Sequence, residues 1–222
     1  MVQGLVDAGI DVSFVVRRGD AHTGAMVLMV DPDGERTMVG TRGASANYRL
    51  GDARALLDAV RPDWLHVSGY PLLDPLMLRR SAALDAEAAR RSIQRSLDLE
   101  GVATAEDPWP LRTDLTFCNL TEYERVLGLS AWRPTHRTLV IKAGRDGCYV
   151  SADGRIDHVE TTQIDPVDTT GAGDAFDAAF IAARLRGLDL ETASRWGNEA
   201  GVRTVAVAGP RADLTEPPGP WS

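Results

Sequence analysis

Residues 167–180 read VDTTGAGDAFDAAF, from Val167 to Phe180. Small polar residues and a Gly-Ala-Gly turn lead, with one carboxylate, straight into an Ala-rich apolar run. Gly171 and Gly173 relax the steric limits on the turn, so its backbone can approach a ligand closely. From Ala175 onward the spacing is helical, with Phe176, Ala179, Phe180 and Ala183 on one face. The N–H groups of the turn therefore sit at a helix N-terminus, where orphan donors and the helix dipole favour an anion. Asp174 stands beside that anion site, an awkward place for a purely structural carboxylate.

Working outward, strand and helix patterns alternate. Trp64–Ser68 (WLHVS) reads as a short buried strand, broken by Gly69-Tyr70-Pro71, and Asp52 is placed to cap a helix through Val60. Helical periodicity runs from Leu76 to about Leu97, and a short strand is expected near Val102. Thr116–Cys118 reads as a strand end before Asn119-Leu120-Thr121-Glu122 and a helix to Leu127. Thr138–Lys142 (TLVIK) is a buried strand running into Ala143–Gly147. Cys148–Ser151 and Ile156–Val159 are expected to pair across Asp153-Gly154, and a helix is predicted from about Leu190 to Val205. Nearer the start, Met1–Ala8 looks like the end of a helix stopped by Gly9, followed by a strand over Ile10–Val16. Thr23–Val30 and Glu35–Gly40 form a β-hairpin around Asp31-Pro32-Asp33-Gly34, closed by Arg42-Gly43-Ala44. Strands alternating with helices, plus hairpins, predict an α/β protein with an open, mostly parallel, doubly wound sheet.

A chain of 222 residues has ample core for independent folding. Its 44% hydrophobic and 25% charged residues are ordinary for a globular protein. The net charge of −8 and the lack of a long basic cluster argue against a nucleic-acid partner. No apolar run approaches the ~18 residues of a membrane span. Cys118 and Cys148 match no metal-ligand spacing and are expected to be reduced, semi-buried thiols of a cytoplasmic protein.

Four stretches fall where an α/β sheet gathers ligands: Ser68-Gly69-Tyr70, Asn119–Glu122, Gly144–Gly147 and Asp168–Asp174. Together they supply Gly-bearing loops, a helix N-terminus, a carboxylate for proton abstraction, and Asn and Glu for a hydrated cation. Phosphoryl transfer needs little more than these. Each also has a plainer reading. A Gly-Ala-Gly before a helix is, taken alone, more often a tight turn than an active site. Asn119 and Glu122 are most simply an N-cap and a first-turn acid, and Gly144–Gly147 could be a strand-to-strand turn. A dinucleotide fingerprint fits poorly, because Asp189 and Glu191 open a helix where that motif needs an acid ending a strand.

Taken together, VDTTGAGDAFDAAF, TGAMVLMVDPDGERT, LHVSGYPLLD, NLTE and VIKAGRDG resemble, in order, the ribokinase-like (PfkB) carbohydrate kinases. The resemblance implies a ribokinase-like sheet with a small β-hairpin lid element. It implies an ATP-dependent kinase in which Asp174 is the base that deprotonates a hydroxyl of a sugar or nucleoside. Gly171, Ala172 and Gly173 would form the anion hole, and Asn119 and Glu122 would organise Mg2+ and its waters. Lys142, Gly144 and Gly147 would lie near the nucleotide and Asn198 near the adenine. Asp168 and Thr170 match positions that bind a monovalent cation in K+-activated members. Against the family pattern, the chain starts late, without the early Asp and Gly-Gly-x-x-x-Asn segment that bind sugar. Residues 90–117 lack the usual strand, and Asp177 follows Phe176 where the signature differs. The expectation is a single domain over 1–222 lacking N-terminal strands and much of the lid. An uncovered sheet edge of that kind favours a homodimer. The alternative is a catalytically impaired remnant that binds nucleotide and has lost sugar binding.

Overall fold

A computed structural model describes residues 2–30, 36–47, 51–101, 111–127 and 138–209. The chain forms two compact units, Met1–Leu50 and Gly51–Ser222.

The first unit opens with helix α1 (Val2–Asp7), which ends at Gly9 in the left-handed region, φ 75°. Strands β1 (Thr23–Val30) and β2 (Arg36–Gly43) then pair antiparallel, with Val27 opposite Val39. The connecting residues 31–35 lie outside the described residues. The strand expected over Ile10–Val16 is not formed. Asp11 Oδ1 instead accepts the Ser13 N–H at 2.8 Å and its hydroxyl at 2.6 Å, folding the backbone into a local turn.

The second unit holds a six-stranded sheet in sequential order. Strands β3 (Trp64–Ser68), β4 (Gln94–Asp98), β5 (Leu115–Asn119) and β6 (Thr138–Lys142) are parallel. Strands β7 (Cys148–Ala152) and β8 (Arg155–Val159) add antiparallel to β6. Asp153 and Gly154, at φ 50° and 77°, give the β7–β8 hairpin its tight two-residue turn.

Helix α2 (Ala53–Val60) starts on the Asp52 cap, whose carboxylate accepts the Ala55 N–H at 2.9 Å. Helix α3 covers Pro75–Arg90, seven residues short of the periodicity seen in the sequence. It stops because Ser92 takes a left-handed φ of 57° and Ile93 N–H turns back to the Ala88 carbonyl. The polar QRSLD stretch then pairs between β3 and β5, tertiary pairing overriding helical propensity. The strand expected near Val102 lies outside the described residues. Helices α4 (Leu120–Leu127), α5 (Ala172–Leu185) and α6 (Leu190–Val205) follow the predicted bounds closely.

Side-chain alternation divides the core by sheet face. Leu115, Phe117 and Val140 pack on Phe176, Phe180 and Ala183 of α5 and Ala193 of α6. Cys118, Leu139 and Ile141 point the other way, with Leu78 and Ala82 of α3 and Tyr123 of α4 packed against their cluster. Helices thus flank both faces, and the parallel strands end together at one edge.

Candidate active site

Phe117 anchors α5 to the sheet, meeting the Phe176 and Phe180 rings edge-on at 6.4 and 5.4 Å. That contact fixes the start of α5 over the C-terminal ends of the parallel strands. Gly171 is the N-cap residue at φ 78°, and no side chain caps the helix. The first i to i−4 bond runs from Ala175 N–H to the Gly171 carbonyl, so the N–H groups of Gly173 and Asp174 have no intrahelical acceptor. Asp174 is exposed in this first turn. A side-chain carbon at Gly173 would lie 3.3 Å from Lys142 Nζ, so the glycine leaves its turn bare directly over that ammonium.

Lys142 ends β6 and is clamped from behind. Its Nζ lies 2.6 Å from Asp98 Oδ2 and 3.1 and 3.2 Å from the two Asp177 oxygens. Burial alone would lower the Lys142 pKa, but the charges of Asp177 and Asp98 outweigh it and hold the ammonium above its ordinary range. Nothing in the sequence pattern singled out Asp98 or marked Asp177 as an ion-pair residue. Asp98 falls just past the stretch whose spacing predicts a helix, to about Leu97; the available signal was the apolar spacing of Leu97 and Leu99.

Asn119 and Glu122 form a reciprocal capping box on α4. Asn119 N–H donates to Glu122 Oε2 and Glu122 N–H to Asn119 Oδ1, each at 2.8 Å. Only one Glu122 oxygen is engaged in this pair. Burial raises the Glu122 pKa, the Asn119 N–H lowers it and Asp98 raises it again. At the end of β4, Glu100 accepts from the Ser68 hydroxyl and from Tyr70 N–H. Its pKa is raised by burial, against the pull of the Ser68 bond. Sequence reasoning missed Glu100 as well.

Gly144 and Gly147 bound a short turn between β6 and β7, closed by Ala143 N–H on the Gly147 carbonyl. A side chain on Gly147 would collide with the Val159 carbonyl oxygen. Asn198 donates to that same carbonyl at 3.0 Å and to that of Glu160 at 3.1 Å. The two residues therefore converge on the end of β8. Asp168 Oδ1 accepts Thr170 N–H at 2.9 Å and Oδ2 accepts Gly209 N–H at 3.1 Å, tying the approach to α5 to the chain beyond α6. Every residue named for the site lies in the second unit.

The sheet, flanked on both faces and carrying a bare glycine turn at its ligand edge, defines a class of ribokinase-fold α/β proteins. The putative ribokinase II of E. coli, solved with ATP and Mg2+, shares the fold at TM-score 0.78 and 22% identity, over 94% of this chain and 73% of that one. The chain itself belongs to the pfkB family carbohydrate kinases, whose family model matches residues 1–217. It is 30% identical over 221 residues to the ATP-dependent ribose-1-phosphate kinase of Halopiger xanaduensis, covering 95% of this chain and 71% of that protein. With the ribokinase of Staphylococcus aureus (strain COL) it shares 25% identity over 230 residues, 93% of this chain and 71% of the relative.

Proposed function

We propose that this chain transfers the γ-phosphate of ATP to a hydroxyl of a sugar or a related small molecule such as a nucleoside. The observation that carries this reading is the exposed Asp174 carboxylate beside the N–H groups that open α5 without an acceptor among the described residues, over the Lys142 ammonium. Asp174 takes the proton of the attacking hydroxyl, worth ~10²–10⁴-fold in rate. Gly171, Ala172 and Gly173 present backbone donors to the transferring phosphoryl group, stabilising charge as it spreads over the equatorial oxygens.

The residues present fit ATP and Mg2+. The bare glycine turn is a cradle that a side chain would fill, and one Glu122 oxygen is left for a hydrated cation beside Asn119. When bound, Mg2+ neutralises phosphate charge while keeping several of its own waters. Gly144, Gly147 and Asn198 shape the ground on which the base of the nucleotide would rest. Asp168 and Thr170 are assigned to a monovalent cation, with K+ expected to raise turnover over Na+.

The test separates binding from chemistry. ATP affinity and phosphoryl transfer are measured on a panel of sugars, sugar phosphates and nucleosides, for the wild type and Asp174→Asn. Turnover that falls ~10²-fold or more in the variant, with ATP binding retained, supports the kinase. ATP binding without turnover on any acceptor, in the wild type itself, supports the impaired remnant instead.

A further inference from the structure

Two carboxylates face one ammonium behind the glycine turn. The side chains of Asp98, Lys142 and Asp177 are only 7%, 14% and 4% exposed. With both acids ionised the group would bury one net negative charge under a phosphate site. An uncompensated buried charge is costly in itself, and this one would repel the anion. Asp98 Oδ1 is buried and, among the described residues, accepts no hydrogen bond, while the Asp98 and Asp177 carboxyls converge on the same Lys142 Nζ at 2.6 and 3.1 Å. One ammonium balances only one of two buried carboxylates, and because ionised carboxylates only accept, a proton held by one acid would both cancel the second charge and supply a donor.

We propose that Asp98 and Asp177 share one proton, so that with Lys142 they form an electrically neutral positioning triad behind the anion-binding turn. The proton donates from one acid to the otherwise unpaired oxygen of the other, and Lys142 remains the positive charge under Gly173. Burial acts in the same sense, pushing Asp177 well above the carboxylate range; Lys142 opposes this and Asp98 adds to it.

The other titratable groups facing the triad do not supply the missing donor. From β3, a His66 ring nitrogen is bonded to the Ser96 hydroxyl at 2.8 Å. From β5, the Cys118 thiol points to the Val140 carbonyl. Glu122 on α4 is coupled by charge to Asp98 and Lys142, and Asp174, one turn earlier on α5, acts by charge on His66. Losing the shared proton therefore turns a neutral support into a negative one, and phosphate binding and transfer weaken on the alkaline side. That consequence rests on the kinase reading; the shared proton itself does not.

The sign follows from linkage. A carboxyl whose folded pKa is raised contributes stability that is full below its unfolded value and lost as pH rises through the folded one. Wild-type stability should thus decline with rising pH in that window, and Asp177→Asn should flatten the decline. Infrared difference spectra of wild type minus Asp177→Asn should show a protonated-carboxyl stretch at neutral pH that is bleached on alkaline titration. Asp98→Asn should also lose the band, because its amide donates where the proton did. At alkaline pH, Asp177→Asn should retain about tenfold more of its neutral-pH kcat/KM than the wild type does.

No protonated-carboxyl band in the wild type at neutral pH overturns the shared proton, whatever the activity. A band with an unchanged alkaline limb in Asp177→Asn overturns the positioning role. If no acceptor is phosphorylated, the kinase reading fails separately, and the pH dependence of ATP binding in the two proteins reads the same charge.

Discussion

At the scale of single residues, the site divides into groups that face the ligand edge and groups that hold them there. Asp174 and the first-turn N–H groups belong to the first kind; Asp98, Lys142 and Asp177 belong to the second. The second kind bears on stability. Replacing Lys142 by Met leaves two buried carboxylates without the cation that both of them bond. Breaking a buried pair in this way costs ~3–5 kcal/mol. Urea denaturation should register that loss, and a change under ~1 kcal/mol would mean that the ammonium is not holding the acids together.

At the scale of elements, the site depends on how closely α5 and α6 approach. A side-chain carbon on Gly197 of α6 would lie 2.8 Å from the Phe176 ring, so the two helices meet across a glycine. Phe176 in turn is set against Phe117 of the sheet. Gly197→Ala should therefore overpack this contact and destabilise the fold by ~1–3 kcal/mol, outweighing the gain in helix propensity. It should also lower turnover, because displacing Phe176 moves the first turn of α5. A thermal melt together with kinetic assays checks both effects; an unchanged melting temperature would show that α6 simply yields. On α4 the reciprocal bonds of Asn119 and Glu122 make the plainer reading of that motif true as geometry. A cap can serve as a cation site only through the oxygen that it leaves over.

At the scale of the whole molecule, Cys118 and Cys148 are fully buried, and among the described residues neither is in a disulfide. Burial raises both thiols, Cys148 to about 11. A thiol reagent at neutral pH should label neither cysteine in the native protein and both in denaturant. Rapid labelling of the native protein would contradict this burial. In the first unit, Met26 and Val27 are each 63% exposed although neighbouring strand residues point to opposite faces. A ribbon apolar on both sides favours self-association. Sedimentation velocity should accordingly show a species heavier than the 23.9 kDa monomer, and a clean monomer across the micromolar range would rule it out. Among the described residues no helix is long and apolar enough to cross a membrane.

The amino-acid sequence by itself determined the parts of this protein that are local. Helical spacing after Gly173, the TLVIK strand, the Asp52 cap and the Asp153-Gly154 turn are written in neighbouring residues, and their elements fall where the spacing puts them. The Asn119–Glu122 pair and the Gly171–Asp174 turn are local for the same reason. Tertiary structure decided what depends on partners far along the chain. QRSLD is a strand only because β3 and β5 pair with it, whereas its own residues continue a helical pattern. Lys142 is 44 residues from Asp98 and 35 from Asp177. No spacing rule joins them, and only burial makes two acids and one ammonium share a single charge balance. The turn at 171–174 was legible as an uncapped helix start; what lies behind it became visible only when the sheet brought β4, β6 and α5 to one edge.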